Sequence, residues 1–346
     1  MKTLYDISWQ VPEETYRADS ALSYSNLAHY ERGGYNSIPT LFERKDTPSL
    51  TFGSAVDSII TGGEEEFKER FFISDFPSVS DKIIKIVKIL YDNNRDTYHS
   101  LETIPTDTIL GVCDAEAYQP SWKPSTRVNS IIDKGKQYYS LLYVAGDRTI
   151  LDMDTYQRVI ASVDSLKTSE ATSMYFMNNT DYALNREYQL KFKESFNGVN
   201  YRCMADLLLT NHVNKTVYPV DLKTSGHAEW DFPESFIQWN YQIQARLYWR
   251  IIRANMNKDP FWKEYNLADY RFIVVNKFTL TPLVWEFSDT QKEGTLIYGK
   301  YHNIECRDPF DIGKELNIYL SSDNRTPLGI NLVSENDLVN QLNLLK

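Results

Sequence analysis

Alternation of apolar and polar positions is clearest between residues 186 and 225. Segments 186–195 and 198–210 alternate with period two. Asn197-Gly198 between them is a hairpin signal, because both residues accept the left-handed backbone of a two-residue turn. A polar loop, 211–215, leads to a third alternating stretch, 216–225, so the spacing predicts a three-strand antiparallel meander. Pro233 opens a helical pattern over 234–256. The runs 271–278 and 282–288 predict a second hairpin, followed by a helix over 289–304. Upstream the period is 3.6. Ile83, Ile84, Ile86, Val87 and Leu90 predict a helix over 81–96. Leu151, Tyr156, Val159, Ile160, Val163 and Leu166 predict another over 150–177. The stretch 103–127, with Pro105, Pro120 and Pro124, reads as irregular, and 1–22 reads as a loose lead-in.

This order of elements predicts an α/β (α+β) fold, a mixed sheet flanked by helices. A mainly helical N-terminal lobe is expected over 23–180, a core over 181–306, and a tail over 307–346 with a short helix near 335–345. Hydrophobic residues make up 42% of the 346, enough to bury a core and to exclude wholesale disorder. The formal charge of −10 excludes a generally basic, nucleic-acid-coating surface. Any DNA contact must come from a local positive patch or from metal ions that neutralise clustered carboxylates. No apolar run approaches the roughly 18 residues of a membrane span, and no signal-like apolar region follows Met1. Cys113, Cys203 and Cys306 lie far apart and offer neither a disulfide framework nor metal-ligand spacing. A reducing cytoplasm, with no membrane partner, is the expected setting.

The chemistry concentrates between Met204 and Tyr248. Asp221 and Lys223 lie two apart on a strand and point to one face. Asp206, on the preceding strand, can be brought beside Asp221. Two adjacent carboxylates repel, and a hard divalent cation such as Mg²⁺ relieves that repulsion with one or two carboxylates plus water and substrate oxygens. An isolated Asp-x-Lys is more often a surface salt bridge. Here, however, the next helix adds Tyr241, Gln244 and Tyr248 at i, i+3 and i+7 on one face. The same helix carries Arg246, Arg250 and Arg253 and no acid from Gln238 to Asn257, a candidate phosphate-backbone stripe. Lys82, Lys85 and Lys88 form a weaker one. Gly294 to Lys300 has Walker A spacing, but Tyr301 replaces the metal-binding Ser/Thr, so no ATP site is expected.

Asp206, then Asp221-Leu222-Lys223-Thr224, then Tyr241-x-x-Gln244-x-x-x-Tyr248 resembles the PD-(D/E)xK nuclease superfamily. Within it the pattern is similar to the RecE-type branch (exodeoxyribonuclease VIII-like phage recombination exonucleases). Segments 23–42, 50–61 and 133–142 resemble further parts of that branch, and the likeness covers roughly 23–305, weakly over 62–125. It implies a restriction-endonuclease-like core with Lys223, Asp221, Asp206, Gln244 and Tyr248 as the catalytic set. Metal ligands would be Asp57, Asp206, Asp221, the Leu222 carbonyl and Glu187. Asp57 stands where the branch usually has a histidine; as a hard oxygen donor it suits Mg²⁺ or Mn²⁺. Glu187 matches an upstream acid of such nucleases, and equally reads as a solvated strand-face glutamate. The implied activity is metal-dependent 5′→3′ exonuclease action on linear double-stranded DNA in recombination or repair. A single-strand annealing protein as partner, a ring-shaped homo-oligomer and, if phage-encoded, the host cytoplasm go with it. The iron–sulfur branch needs four cysteines, so no such cluster is expected. The alternative is a catalytically degenerate DNA-end or partner-binding module of the same fold.

Overall fold

The alternating stretch folds as three consecutive antiparallel strands, Leu184–Phe196, Val199–Asn211 and Thr216–Ser225. Asn197 (φ 52°) and Gly198 (φ 80°) make the first turn in the left-handed region that a tight hairpin requires. In this computed structural model, which describes residues 2–43, 48–75, 79–177, 183–288, 295–298 and 303–321, the sheet then continues beyond the meander. Tyr270–Asn276 runs parallel to Thr216–Ser225, and Pro282–Phe287 returns antiparallel beside it. Asn266–Leu267 pairs with the start of the central strand. Among the described residues this is a six-stranded mixed sheet, and with its helices it makes the fold mixed α/β.

A parallel step needs a crossover. Helices Phe232–Gln238 and Tyr241–Lys258 supply it. The pattern over 234–256 predicts one helix; the structure breaks it at Trp239 and Asn240, where Asn240 takes a left-handed φ of 55°. The second helix is buried on more than its sheet side, with Ile243, Ala245, Leu247, Ile251, Ile252 and Met256 all inaccessible. Helices Tyr24–Gly33 and Pro309–Ser321 pack against it as well.

Several other expectations change. The helix expected over 289–304 is replaced by antiparallel strands Thr295–Tyr298 and Asn303–Cys306. The run Thr-Leu-Ile-Tyr is β-branched and aromatic, which suits a strand. Within 103–127 the prolines start helices: Pro105 caps Thr106–Ala115, and Pro124 opens Pro124–Ala145. The helix expected over 150–177 is Met153–Thr168, followed by the short Ser173–Phe176. Residues 2–22 are fastened rather than loose. Leu4 is fully buried, Trp9 N–H donates to the Lys191 carbonyl, and Leu22 exchanges backbone bonds with Asn200 and Arg202. The helix expected near 335–345 lies outside the described residues.

The chain divides into two compact units, residues 1–47 with 164–346, and residues 48–163. The first holds the six-stranded sheet. The second is built around helices Asp81–Asn94 and Pro124–Ala145, with Ile86, Val87, Leu90, Ile131 and Tyr139 in its core. Gly135 packs directly on the facing helix; a Cβ there would sit 2.5 Å from Val87 Cγ2. No helix among the described residues is long and apolar enough to cross a membrane.

Candidate active site at the end of the central strand

The ladder between Val199–Asn211 and Thr216–Ser225 runs from Asn211↔Thr216 to Leu207↔Val220 and goes no further. The next positions in register are Asp206 and Asp221. Directly opposed residues of an antiparallel pair share a face, so continuing the register by one step assigns both carboxylates to one face just past the end of the pairing. Asp206 Oδ2 accepts the Leu222 N–H at 3.0 Å, taking a donor that continued pairing would have used. Beyond this point the central strand is held from the other side, with Asp221 opposite Phe272 and Lys223 opposite Val274.

Asp221 is 1% exposed. The Lys223 ammonium lies 2.5 Å from its Oδ2, in ion-pair contact but off the line of a hydrogen bond. Gln244 Nε2 donates to Asp221 Oδ1 from the helix packed on this face. The Gln244 Oε1, also buried, has no hydrogen-bond partner among the described residues. A buried orphan acceptor of this kind requires an explanation such as a bound water or ion.

Lys223 also lies over the Tyr241 ring, 4.8 Å from its centre. Burial alone would lower its pKa. The negative charge of Asp221, with Tyr241, Asp206 and Tyr24, outweighs that and holds it above the ordinary lysine range. Lys223 is therefore a fixed positive charge. Tyr248 is buried beneath, its ring 6.3 Å from that of Tyr270. Burial first, and then neighbouring groups that include Asp221 and Asp206, raise both phenols well above their usual value. Tyr241 belongs to the sequence pattern with Gln244 and Tyr248, whereas Tyr24 and Tyr270 are neighbours of the site that the sequence does not mark. Nothing in their local spacing distinguishes them from core tyrosines.

Several other expected site residues have partners of their own. Glu187 accepts the Leu4 N–H at 3.0 Å, the Tyr5 N–H at 2.8 Å and the Asn185 amide at 3.1 Å, so both its oxygens fasten the N-terminal turn. Asp57 belongs to helix Pro48–Thr61 of the second unit, where its carbonyl accepts the Thr61 hydroxyl. The arginine stripe is not an open face. Arg246 is completely buried, with its guanidinium bonded to Gln242 and lying over Phe287. Arg250 faces Asp308 at 3.4 Å and covers Phe310, while Arg253 donates to the Tyr265 carbonyl. Arg250 thus ties the helix to the segment that covers it, Arg253 ties it to the connector at Tyr265, and Arg246 is enclosed, so the three are engaged within the protein rather than presented as one open stripe. Lys82 and Lys85 both pair with Glu116.

As a metal centre, the strand end offers hard oxygens only. Among the described residues no group of three or more His, Cys, Asp or Glu side chains gathers at one point. Two opposed carboxylates with an orphaned amide oxygen nearby fit Mg²⁺, which is content with one or two carboxylates and takes the rest of its shell from water and substrate. They do not fit zinc, which favours nitrogen and sulfur donors in a closed set.

No family model matches the chain, and no curated protein matches its sequence. Among solved structures, a “Putative exonuclease” from Eubacterium rectale aligns with a TM-score of 0.41 and 14% identity over 81% of this chain and 79% of its own. The chemistry of the strand end has therefore to be read from its own side chains.

Proposed function

We propose that this protein is a Mg²⁺-dependent deoxyribonuclease that hydrolyses phosphodiester bonds. The observation that carries this reading is the meeting of Asp206, Asp221 and Lys223 on one face where a sheet ladder stops. A purely structural salt bridge would not need a second carboxylate just past the end of the ladder, nor a glutamine braced on Asp221 with its own acceptor unspent. Mg²⁺ held by Asp206 and Asp221 would supply Lewis-acid polarisation of the scissile phosphate and an activated water.

The chain's own groups define the rest. Gln244 fixes the rotation of the Asp221 carboxylate. Asp206, by accepting the Leu222 N–H, is fixed beside the central strand just past the end of the ladder. Lys223, permanently protonated, is placed to donate to a non-bridging oxygen of the attacked phosphate as negative charge builds there. The resemblance to RecE-type nucleases extends the proposal to 5′→3′ exonuclease action on linear duplex DNA in recombination, alongside a single-strand annealing partner.

Linear duplex labelled at either end, closed-circular duplex and single strands, each incubated with Mg²⁺ or EDTA, test the proposal. Release from linear duplex with Mg²⁺ only is expected, with a loss of about 10²-fold or more in Lys223→Ala. Equal release in EDTA, or by Lys223→Ala, rules it out. The label released first reports polarity.

A further inference from the structure

Three large aromatic side chains stand exposed around this strand end. Trp230 is 74% accessible, Phe278 63% and Trp239 45%. Exposed apolar side chains of this size, gathered at one place, mark a binding surface. Their placement relative to Lys223 is fixed by the backbone. The central strand ends at Ser225, whose carbonyl accepts the Lys277 N–H. A Cβ on the next residue, Gly226, would lie 3.5 Å from the Phe278 ring. Phe278 thus borders the strand three residues past Lys223, about 10 Å at 3.3 Å per residue. Trp230 lies on the adjoining turn Glu229–Asp231, tied to the same loop by the Thr279 hydroxyl donating to Glu229. Trp239 is linked to Lys223 through two tyrosines. Its carbonyl accepts the Tyr24 hydroxyl at 2.7 Å, the Tyr24 ring is 6.3 Å from that of Tyr241, and Tyr241 carries Lys223.

Two of these rings already carry a cation. The Arg32 guanidinium lies 5.4 Å from the centre of Trp239, and the Lys277 ammonium 5.2 Å from that of Phe278. Solvent-exposed aromatic rings with basic groups beside them match a single-stranded nucleic acid, whose bases stack and whose phosphates seek positive charge. Arg32, Lys223 and Lys277 supply the positive charge of this rim, while Glu229 and Asp231 flank Trp230 and Asp221 pairs with Lys223. The acidic Glu286 beyond it is bound to Arg271.

We infer that Trp230, Trp239 and Phe278 form a stacking rim for the unpaired bases of a nucleic-acid strand leading to the Asp221–Lys223 site. The inference rests on the nuclease reading and deepens it, by naming a frayed or single-stranded end as what the site receives. A protein docking on the same rings is the competing occupant.

The test uses the full chain in EDTA, so that nothing is cleaved. Fluorescent oligothymidylate is compared with an abasic deoxyribose-phosphate oligomer of equal length and charge. The wild-type chain should bind oligothymidylate more tightly, with quenching of its tryptophan fluorescence. Trp230→Ala, Trp239→Ala and Phe278→Ala should each lose about five-fold or more on oligothymidylate and little on the abasic strand. Trp230→Phe and Trp239→Phe, which keep a ring, should retain most of the affinity and the melting temperature. Equal wild-type affinity for the two oligomers overturns the inference. So does unchanged oligothymidylate binding in the alanine variants, the outcome expected of a protein-docking surface. Digestion of linear duplex with Mg²⁺ is scored separately. A chain that digests DNA but fails the stacking comparison loses only the rim, whereas one that stacks bases but digests nothing loses only the nuclease.

Discussion

Two acidic positions on one sheet, one half-buried and one buried, behave in opposite ways. Glu187, near the outer edge, has two backbone N–H groups and an amide on its oxygens. Asp221, on the central strand, is more deeply buried and is faced by an opposing carboxylate, a lysine ammonium and a glutamine with an unused acceptor. The first arrangement closes on itself and holds residues 2–7 to the sheet. The second leaves polar capacity unspent and places like charges in register, which a purely structural site would avoid. The lesson is that an acid's partners, more than its burial or its position in a motif, separate an anchor from a reactive centre.

The largest expected effect tests the central-strand side of this contrast. Asp221→Asn keeps an acceptor for Gln244 and removes a desolvated charge, while Lys223, 22% exposed, can turn its ammonium to water. Nuclease activity per folded molecule should fall by about 10²-fold or more, while the unfolding free energy in urea drops by less than the roughly 3–5 kcal/mol that a fully buried unpaired charge would cost. A variant that unfolds easily yet keeps its activity per folded molecule would make Asp221 a second anchor and erase the distinction.

Glu187→Ala should show the reverse. It strips the acceptor from the Leu4 and Tyr5 N–H groups and loosens Leu4 from the core. Since the Tyr5 amide can reach water, the cost should be about 1–2 kcal/mol in a urea melt, with activity at 25 °C little changed. A collapse of activity with unchanged stability would restore Glu187 to the catalytic set.

How far these roles could be read from the residue order differs from one to the next. The meander was legible because period-two alternation and Asn197-Gly198 are local signals, and register then puts Asp206 opposite Asp221 without further information. Glu187 was not legible as an anchor: its partners are backbone groups 182 and 183 residues away, which no spacing announces. The arginine stripe misleads for a related reason. Periodicity marks Arg246, Arg250 and Arg253 as one polar face, but cannot reveal that the segment 309–321 returns to cover that helix, with Asp308 and Phe310 meeting Arg250. The break at Asn240 is likewise settled by tertiary packing, since Tyr241 must swing under Lys223 while Phe232 and Phe236 stay against Phe272.

The smallest effect is one of pH, and it sharpens what kind of anchor Glu187 is. Burial raises its carboxyl above the usual glutamate value of about 4.5, and the Leu4 and Tyr5 N–H groups pull it back only partly. Between the unfolded and folded pKa values the folded chain therefore binds more protons than the unfolded one. In that window stability must fall as pH rises. The contribution is fully present below the unfolded value and is lost as pH climbs through the folded one. Glu187→Gln cannot titrate, so the difference in unfolding free energy between wild type and this variant should move against the wild type from pH 4 upward and level off once the carboxyl is ionised. Urea melts of the two chains at matched pH values measure that difference directly, because every other titrating group is common to both. A difference that instead grows in favour of the wild type with pH would mean that the two N–H groups outweigh burial. Glu187 would then be an anchor that needs its charge, as Asp221 does in the proposed chemistry.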